Sequence, residues 1–308
     1  THKIYIGLLP YVDEFCRERG YEFEGVEDIL GTKQREKVSQ SWLADLNLPF
    51  EPRDYQIDAF NTAIQYGRQL LLSPTASGKS LIIYSLIRFY YHLLKGKQIL
   101  ILVPTTSLVE QMYSDFIDYG WNDKYLHRIY QGHEKDTDKP IIISTWQSLY
   151  KLDKKYFENF GCVVGDEAHL FKSKSLTTIM TKLINCKYRF GMTGTLDGTQ
   201  THRLVLEGLF GKVEKVTSTK QLMDKDTLAN LKIKCLVLKH KESECKEVKD
   251  LKYSDELQYI VAHKTRNDFI SRLCDKLSGN TLCLYQLVEK HGLVLYNMMK
   301  DFDRKVFF

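Results

Sequence analysis

The sequence predicts an α/β fold, a doubly wound and mainly parallel sheet, and three observations carry that prediction. Apolar runs at 69–72, 98–103, 140–144, 162–165 and 189–192 alternate with segments of helical period near 56–66, 81–94, 107–119 and 175–184. Runs such as Ile99-Leu100-Ile101-Leu102-Val103 and Ile141-Ile142-Ile143 are apolar at every position, which suits parallel strands covered on both faces. Two polar motifs, Ser73 to Ser80 and Asp166-Glu167-Ala168-His169, each follow directly on such a run. Both therefore fall at carboxyl ends of strands, where sheets of this kind bind ligands.

The first motif, SPTASGKS, stands between a strand and a helix and ends in Gly78-Lys79-Ser80, the ending of a phosphate-cradling loop. Backbone N–H groups of Thr75, Ala76, Ser77 and Gly78 would point at an anion, and the helix dipole would favour it. Lys79 would reach the outer phosphates, and the Ser80 hydroxyl would ligate Mg²⁺, a hard cation that takes oxygen. The pattern's first glycine is Ser73 here, so Pro74 would help fix the turn. In the second motif Asp166 would hold Mg²⁺ and Glu167 would orient and deprotonate an attacking water. An ordinary structural reading exists for each: a polar loop before a helix, and acidic residues at a helix N-terminus. Their joint placement favours the chemical reading, with ATP and Mg²⁺ as cofactors.

Composition narrows the class. With 308 residues, 43% hydrophobic and 27% charged, the chain has room for two domains and resembles soluble globular proteins. The net charge of +5 permits a polyanionic partner, but it is uneven: residues 1–48 carry six Lys/Arg against nine Asp/Glu, a balance of −3 that leaves +8 elsewhere. Seven scattered cysteines with no C-x-x-C pair read as reduced thiols, not as a disulfide framework or a zinc site. No signal peptide or uninterrupted apolar span appears, so a cytoplasmic location is expected, the host cytoplasm if the chain is phage-encoded.

Residues 1–50 form the first expected piece, with a helix around Tyr11 to Arg19, glycines at Gly20, Gly25 and Gly31, and a second helix near Arg35 to Leu46. Leu48-Pro49-Phe50-Glu51-Pro52 marks a boundary. Residues 51–216 form the sheet domain. Residues 217–308 begin as a charged linker, followed by strands expected at Ile233 to Leu238 and Thr281 to Tyr285 and a helix opened by Lys264-Thr265-Arg266-Asn267.

Taken with the loop ending in Lys79, Asp166-Glu167-Ala168-His169 resembles the ATPase core of superfamily-two helicases and translocases, and other segments fall in that family's order. The resemblance implies a RecA-like motor domain at 51–216 and the start of a second at 217–308. Arg53-Asp54-Tyr55-Gln56 resembles the Q-motif, in which Gln56 would read the adenine edge and Arg53 or Tyr55 would pack near the base. Pro104, Thr105, Thr106 and Ser107 resemble motif Ia, and Thr145 and Gln147 the segment that continues its grip on one nucleic-acid strand. Thr105 to Ser107 also read as plain helix caps. Thr193-Gly194-Thr195 resembles motif III, which with His169 would couple the ATP site to the nucleic acid. The segment Gly7-Leu8-Leu9-Pro10 through Phe15-Cys16 is similar to the end of a small DNA-binding domain in phage-encoded members that act on branched DNA. The implied partner is then DNA, as forks, crossover junctions, displacement loops or RNA–DNA loops.

The arginine-bearing Q-x-x-G-R-x-G-R motif of the family's second lobe does not occur in the sequence. Because that arginine stabilises the transferring phosphoryl group, two readings stand: an ATP-dependent helicase or translocase, and a nucleotide- and DNA-binding module without sustained turnover. Transfer of phosphate to a small molecule is a third, disfavoured by the motif Ia and Ser144-Thr145 segments.

Overall fold

The computed structural model describes residues 4–24, 42–43, 45–170, 174–196, 200–225, 228–229 and 231–308. The glycines Gly25 and Gly31 and most of the helix expected at Arg35 to Leu46 lie outside them. The chain divides into two compact units, 1–230 and 231–308.

Unit one is built on seven parallel strands: β1 (Arg68–Leu72), β2 (Gln98–Val103), β3 (Leu126–Ile129), β4 (Ile141–Thr145), β5 (Phe160–Gly165), β6 (Tyr188–Thr193) and β7 (Val213–Lys215). They lie in the order β3-β4-β2-β5-β6-β1-β7. Register pairs Leu72 with Thr193, Gly165 with Gly191 and Val103 with Thr145, so the loops after β1, β6 and β5 emerge side by side, with those after β2 and β4 beyond. The five central strands match the sequence expectation. β3 and β7 were not foreseen, because both are edge strands with one side to cover: His127 and Arg128 interrupt the apolar pattern of β3, and β7 has three residues, none buried.

Helices cover both faces. One face holds Asp54–Tyr66, Lys79–Leu93 and Thr106–Asp118, packed through Phe60, Ile83, Tyr90 and Phe116. The other holds Lys174–Lys182 and Gln200–Phe210, packed through Met180, Leu206 and Phe210. Alternate residues of a strand feed opposite layers: Ile99 and Ile101 join the first core, Leu100 and Leu102 the second. This is why β2 has no polar position after Gln98.

The amino-terminal segment docks on unit one. Gly7 meets the helix Gln200–Phe210 backbone to backbone; a Cβ there would stand 2.0 Å from the carbonyl oxygen of Glu207. Beside it, the fully buried Glu207 accepts hydrogen bonds from the Tyr11 hydroxyl and from Arg203 Nε, the latter at 2.7 Å. Acceptance by a buried carboxylate makes this a charge-assisted contact, and Tyr11→Phe is expected to cost about 1–2 kcal/mol. Urea unfolding, with tryptic cleavage at Arg17 and Arg19 as a local probe, checks it. An unchanged midpoint and cleavage rate would show that the latch carries no energy.

Unit two comprises helices Glu242–Val248, Tyr253–Ala262 and Lys264–Lys276, a π-helical turn at Val288–Gly292 and the helix Leu293–Met299. The helix expected to open at Lys264 is present, its cap the His263 ring, which accepts from the Arg266 amide. The strands expected at Ile233 to Leu238 and Thr281 to Tyr285 are not formed; both stretches are irregular, with Val237 80% and Leu282 83% exposed. An apolar run becomes a strand only when a neighbouring ladder takes its N–H and C=O groups, and no strand is present among the described residues of this unit.

Candidate active site

The loop after β1 is held from within and from the side. Ser73, the residue in place of the pattern's first glycine, is fully buried and shares a 2.6 Å hydrogen bond with the Ser77 hydroxyl, which bonds the Pro74 carbonyl at 2.6 Å. The serine thus replaces backbone freedom with a side-chain brace across the turn. Ala76 takes a left-handed φ of 64° and Gly78 one of 77°. At Gly78 a Cβ would also meet Gln56 Nε2 at 2.3 Å, so a larger residue there would carry backbone strain and displace the Gln56 amide.

Gln56 is the side brace. Its Nε2 donates to the Ser77 carbonyl at 2.8 Å while its Oε1 accepts from the Arg53 amide at 2.9 Å, within a capping box that starts the helix Asp54–Tyr66. Arg53 Nη1 donates to the Tyr55 hydroxyl, which donates to the Ser77 carbonyl at 3.1 Å. In this arrangement the side chains of Arg53 and Gln56 serve the loop. Thr75 and Ala76 stand exposed at its tip.

Lys79, the first residue of its helix, extends its ammonium to Glu167 Oε1 at 2.7 Å. The two loops thus close on each other although 88 positions separate the residues. Asp166 is buried at 7% exposure, and its Oδ1 accepts from the Glu167 amide at 2.9 Å. Burial, reinforced by the Glu167 charge and opposed by Lys79, pushes its carboxyl up to about 6. A carboxylate desolvated beyond what its neighbours repay is suited to a divalent cation. The Ser80 hydroxyl, the other candidate ligand, lies 2.9 Å from the Tyr119 hydroxyl. Glu167 itself has a φ of 50°, a left-handed conformation that costs a side-chain-bearing residue about 1 kcal/mol or more and fixes its carboxylate toward Lys79.

The candidate coupling residues stand on the other side of Glu167. His169 Nδ1 lies 3.0 Å from Thr193 Oγ1 and 3.4 Å from Glu167 Oε2. Thr193 donates its hydroxyl hydrogen to the Thr195 carbonyl at 2.7 Å, so its oxygen accepts from His169 and the ring carries its hydrogen on Nδ1. A Cβ on Gly194 would stand 3.8 Å from Lys79 Nζ and from the Thr75 amide. Motif III therefore lies against the phosphate loop.

The candidate nucleic-acid residues occupy the ends of β2 and β4. Thr105 caps the helix Thr106–Asp118, accepting from the Leu108 amide at 3.3 Å, and shares a 3.0 Å bond with Ser107; both are exposed, as is Thr106. Gln147 Nε2 donates to the Pro104 carbonyl at 3.2 Å and ties the two loops together. Thr145 is buried and shares a 2.9 Å bond with Ser148. The capping reading of Thr105 is realised, and Thr106 and Ser107 stand exposed beside it.

The pattern of the family described as "Type III restriction enzyme, res subunit" matches residues 49–198. The chain is 32% identical over 98% of its length to the ATP-dependent DNA helicase uvsW of Enterobacteria phage T4, covering 62% of that protein. A crystal structure of the T4 UvsW helicase superposes with a TM-score of 0.61 at 34% identity, over 68% of this chain and 78% of that one. The chain belongs to the superfamily-two helicases.

A second relative, the DNA 3'-5' translocase XPB2 of Sulfurisphaera tokodaii, is 27% identical over 79% of this chain and 49% of its own. The chain thus spans between about half and three fifths of the length of these curated relatives. Among the described residues no helix is long and apolar enough to cross a membrane. Sequence reasoning missed Tyr119, which holds Ser80 and receives a 2.8 Å hydrogen bond from the Tyr84 hydroxyl on its carbonyl. It also missed His202, whose Nε2 lies 3.1 Å from the His169 carbonyl. Neither carries a local signal, since both act across the fold from helix ends.

Proposed function

We propose that residues 51–216 are the ATP-binding motor domain of a DNA helicase or translocase, with 1–50 the remnant of a DNA-binding domain and 217–308 a linker and part of a second motor domain. The observation that carries this is the meeting of Lys79 and Glu167 at 2.7 Å beside the buried Asp166. In this reading the β1 loop cradles the phosphates of ATP, and a bound Mg²⁺, held by Ser80 and Asp166, supplies charge neutralisation at the phosphoryl group. A phosphate that draws Lys79 to itself frees Glu167 to orient and deprotonate water. The His169–Thr193 hydrogen bond passes the state of Glu167 to β6. Pro104, Thr105, Thr106, Ser107, Thr145 and Gln147 meet one DNA strand at the ends of β2 and β4.

Branched DNA is the proposed substrate, as forks, crossover junctions, displacement loops and RNA–DNA loops; likeness to the phage helicase supports it. ATP-driven unwinding by the intact gene product, measured on forked, crossover and RNA–DNA substrates against linear duplex, tests it. Preference for the branched substrates is expected; equal rates on all would defeat the substrate assignment and leave the motor. For the 308 residues alone we expect nucleotide and DNA binding with little turnover, since the Q-x-x-G-R-x-G-R arginine is not among them.

A further inference from the structure

The amino ends of β1 and β6 hold an unusual charge arrangement. Arg68 and Arg189 are register partners on these neighbouring strands, and both residues are half-buried. They line a cavity of about 350 Å³ with Lys187, Cys186, Met180 and Tyr5.

Arg189 is spent on the chain itself. Its Nε donates to the Cys186 carbonyl at 3.1 Å and its Nη1 to the Met180 carbonyl at 2.9 Å, while Nη2 bonds the Leu183 carbonyl, which clamps the end of the helix Lys174–Lys182. Arg68 is not. Its Nη1 and Nη2 make long contacts to the Lys187 and Leu209 carbonyls, 3.3 and 3.4 Å, and its Nε is buried without a partner. Burial and the Arg189 charge together push the Arg68 guanidinium down to about 9. The ionisable neighbours acting on the pair are each other and the Cys186 thiol, and no carboxylate among the described residues does so. Two helix C-termini face the pair, and each contributes about half a negative charge. Roughly one positive charge is left unmatched, before Lys187 at the exposed rim is counted.

A helix-end clamp accounts for Arg189 in full and leaves the Arg68 Nε and the cavity unexplained. We propose that this cavity binds a small oxyanion of the phosphate type, with Arg68 as its principal ligand and Lys187, whose ammonium stands 5.8 Å from the centre of the Tyr188 ring, swinging in to close the rim. It is separate from the nucleotide loop. Five residues of extended chain, about 16 Å, separate Arg68 from Ser73 at the other end of β1.

Inorganic phosphate is the probe, measured by equilibrium dialysis at low ionic strength in the Lys79→Ala background, which weakens phosphate binding at the nucleotide loop. That variant is expected to keep one phosphate per chain. Adding Arg68→Gln should weaken it more than about tenfold, and adding Lys187→Gln about fivefold, as an exposed ion pair allows. Absence of phosphate from Lys79→Ala, or equal binding with and without Arg68→Gln, would overturn the site. Should Arg68→Gln not fold, Lys187→Gln decides, because an exposed rim lysine can be replaced without loss of the core; unchanged affinity there would equally overturn it. Since the readout is phosphate binding and not turnover, its failure leaves the motor reading untouched.

Discussion

Lys79→Ala and Glu167→Gln each remove at least about a hundredfold of the DNA-stimulated ATP turnover expected of the full-length protein. For Glu167, in its proposed role of general base, the figure is what such a positioned base contributes, about 10² to 10⁴ in rate. Glutamine keeps the shape of the side chain and its place after Asp166, but it neither accepts a proton nor pairs with Lys79, whose ammonium sits 2.7 Å away. The variant should therefore still bind ATP. Lys79→Ala should lose affinity as well as rate, because a charge that meets phosphate in the bound state also stabilises it in the transition state. Filter binding of labelled ATP alongside turnover separates the two effects. Turnover at wild-type rates in both variants would remove the mechanism; loss of ATP binding by Glu167→Gln would show instead that the pair is a structural brace for the loop.

The geometry behind that prediction was legible because three sequence signals coincided. β1, β2, β4, β5 and β6 are covered on both faces and so are apolar throughout, and each chemical motif begins where such a run stops. Parallel order then brings the motifs to one rim. Side-chain traffic across that rim was not legible. The Q-motif suggested a base-reading role for Gln56, and did not reveal that both ends of its amide are also bonded within the protein, to the Arg53 amide and the Ser77 carbonyl. Ser73 read as a defect in a pattern, and the structure shows it bonding Ser77 across the turn. Tyr119 ends a helix 39 residues from Ser80, and only the approach of two helices puts its hydroxyl there. Unit two fails for the opposite reason: Ile233 to Leu238 has the composition of a strand, but composition cannot provide a partner ladder.

Asp166→Asn stabilises the metal-free protein at neutral pH by up to about 3 kcal/mol, and the gain disappears in acid. The native carboxyl is pushed up to about 6 from its ordinary 3.8, chiefly by burial. Between those values the folded state binds more protons than the unfolded one, so wild-type stability falls as pH rises through the window and the full penalty is present above it. Asparagine has no charge to desolvate and can still accept from the Glu167 amide. Its advantage should be full at pH 7 and absent below about pH 4; for a unit of this size, each kcal/mol moves the melting temperature by about 2–4 °C. Melting curves in a chelator at pH 4, 5.5 and 7 measure it. A variant that melts below wild type at pH 7, or a difference independent of pH, would refute the claim that Asp166 is held at a cost to the fold. Saturating Mg²⁺ and ATP should reverse the order, raising wild type and leaving Asp166→Asn nearly unmoved, because the charge that penalises the empty fold is the one the cation needs.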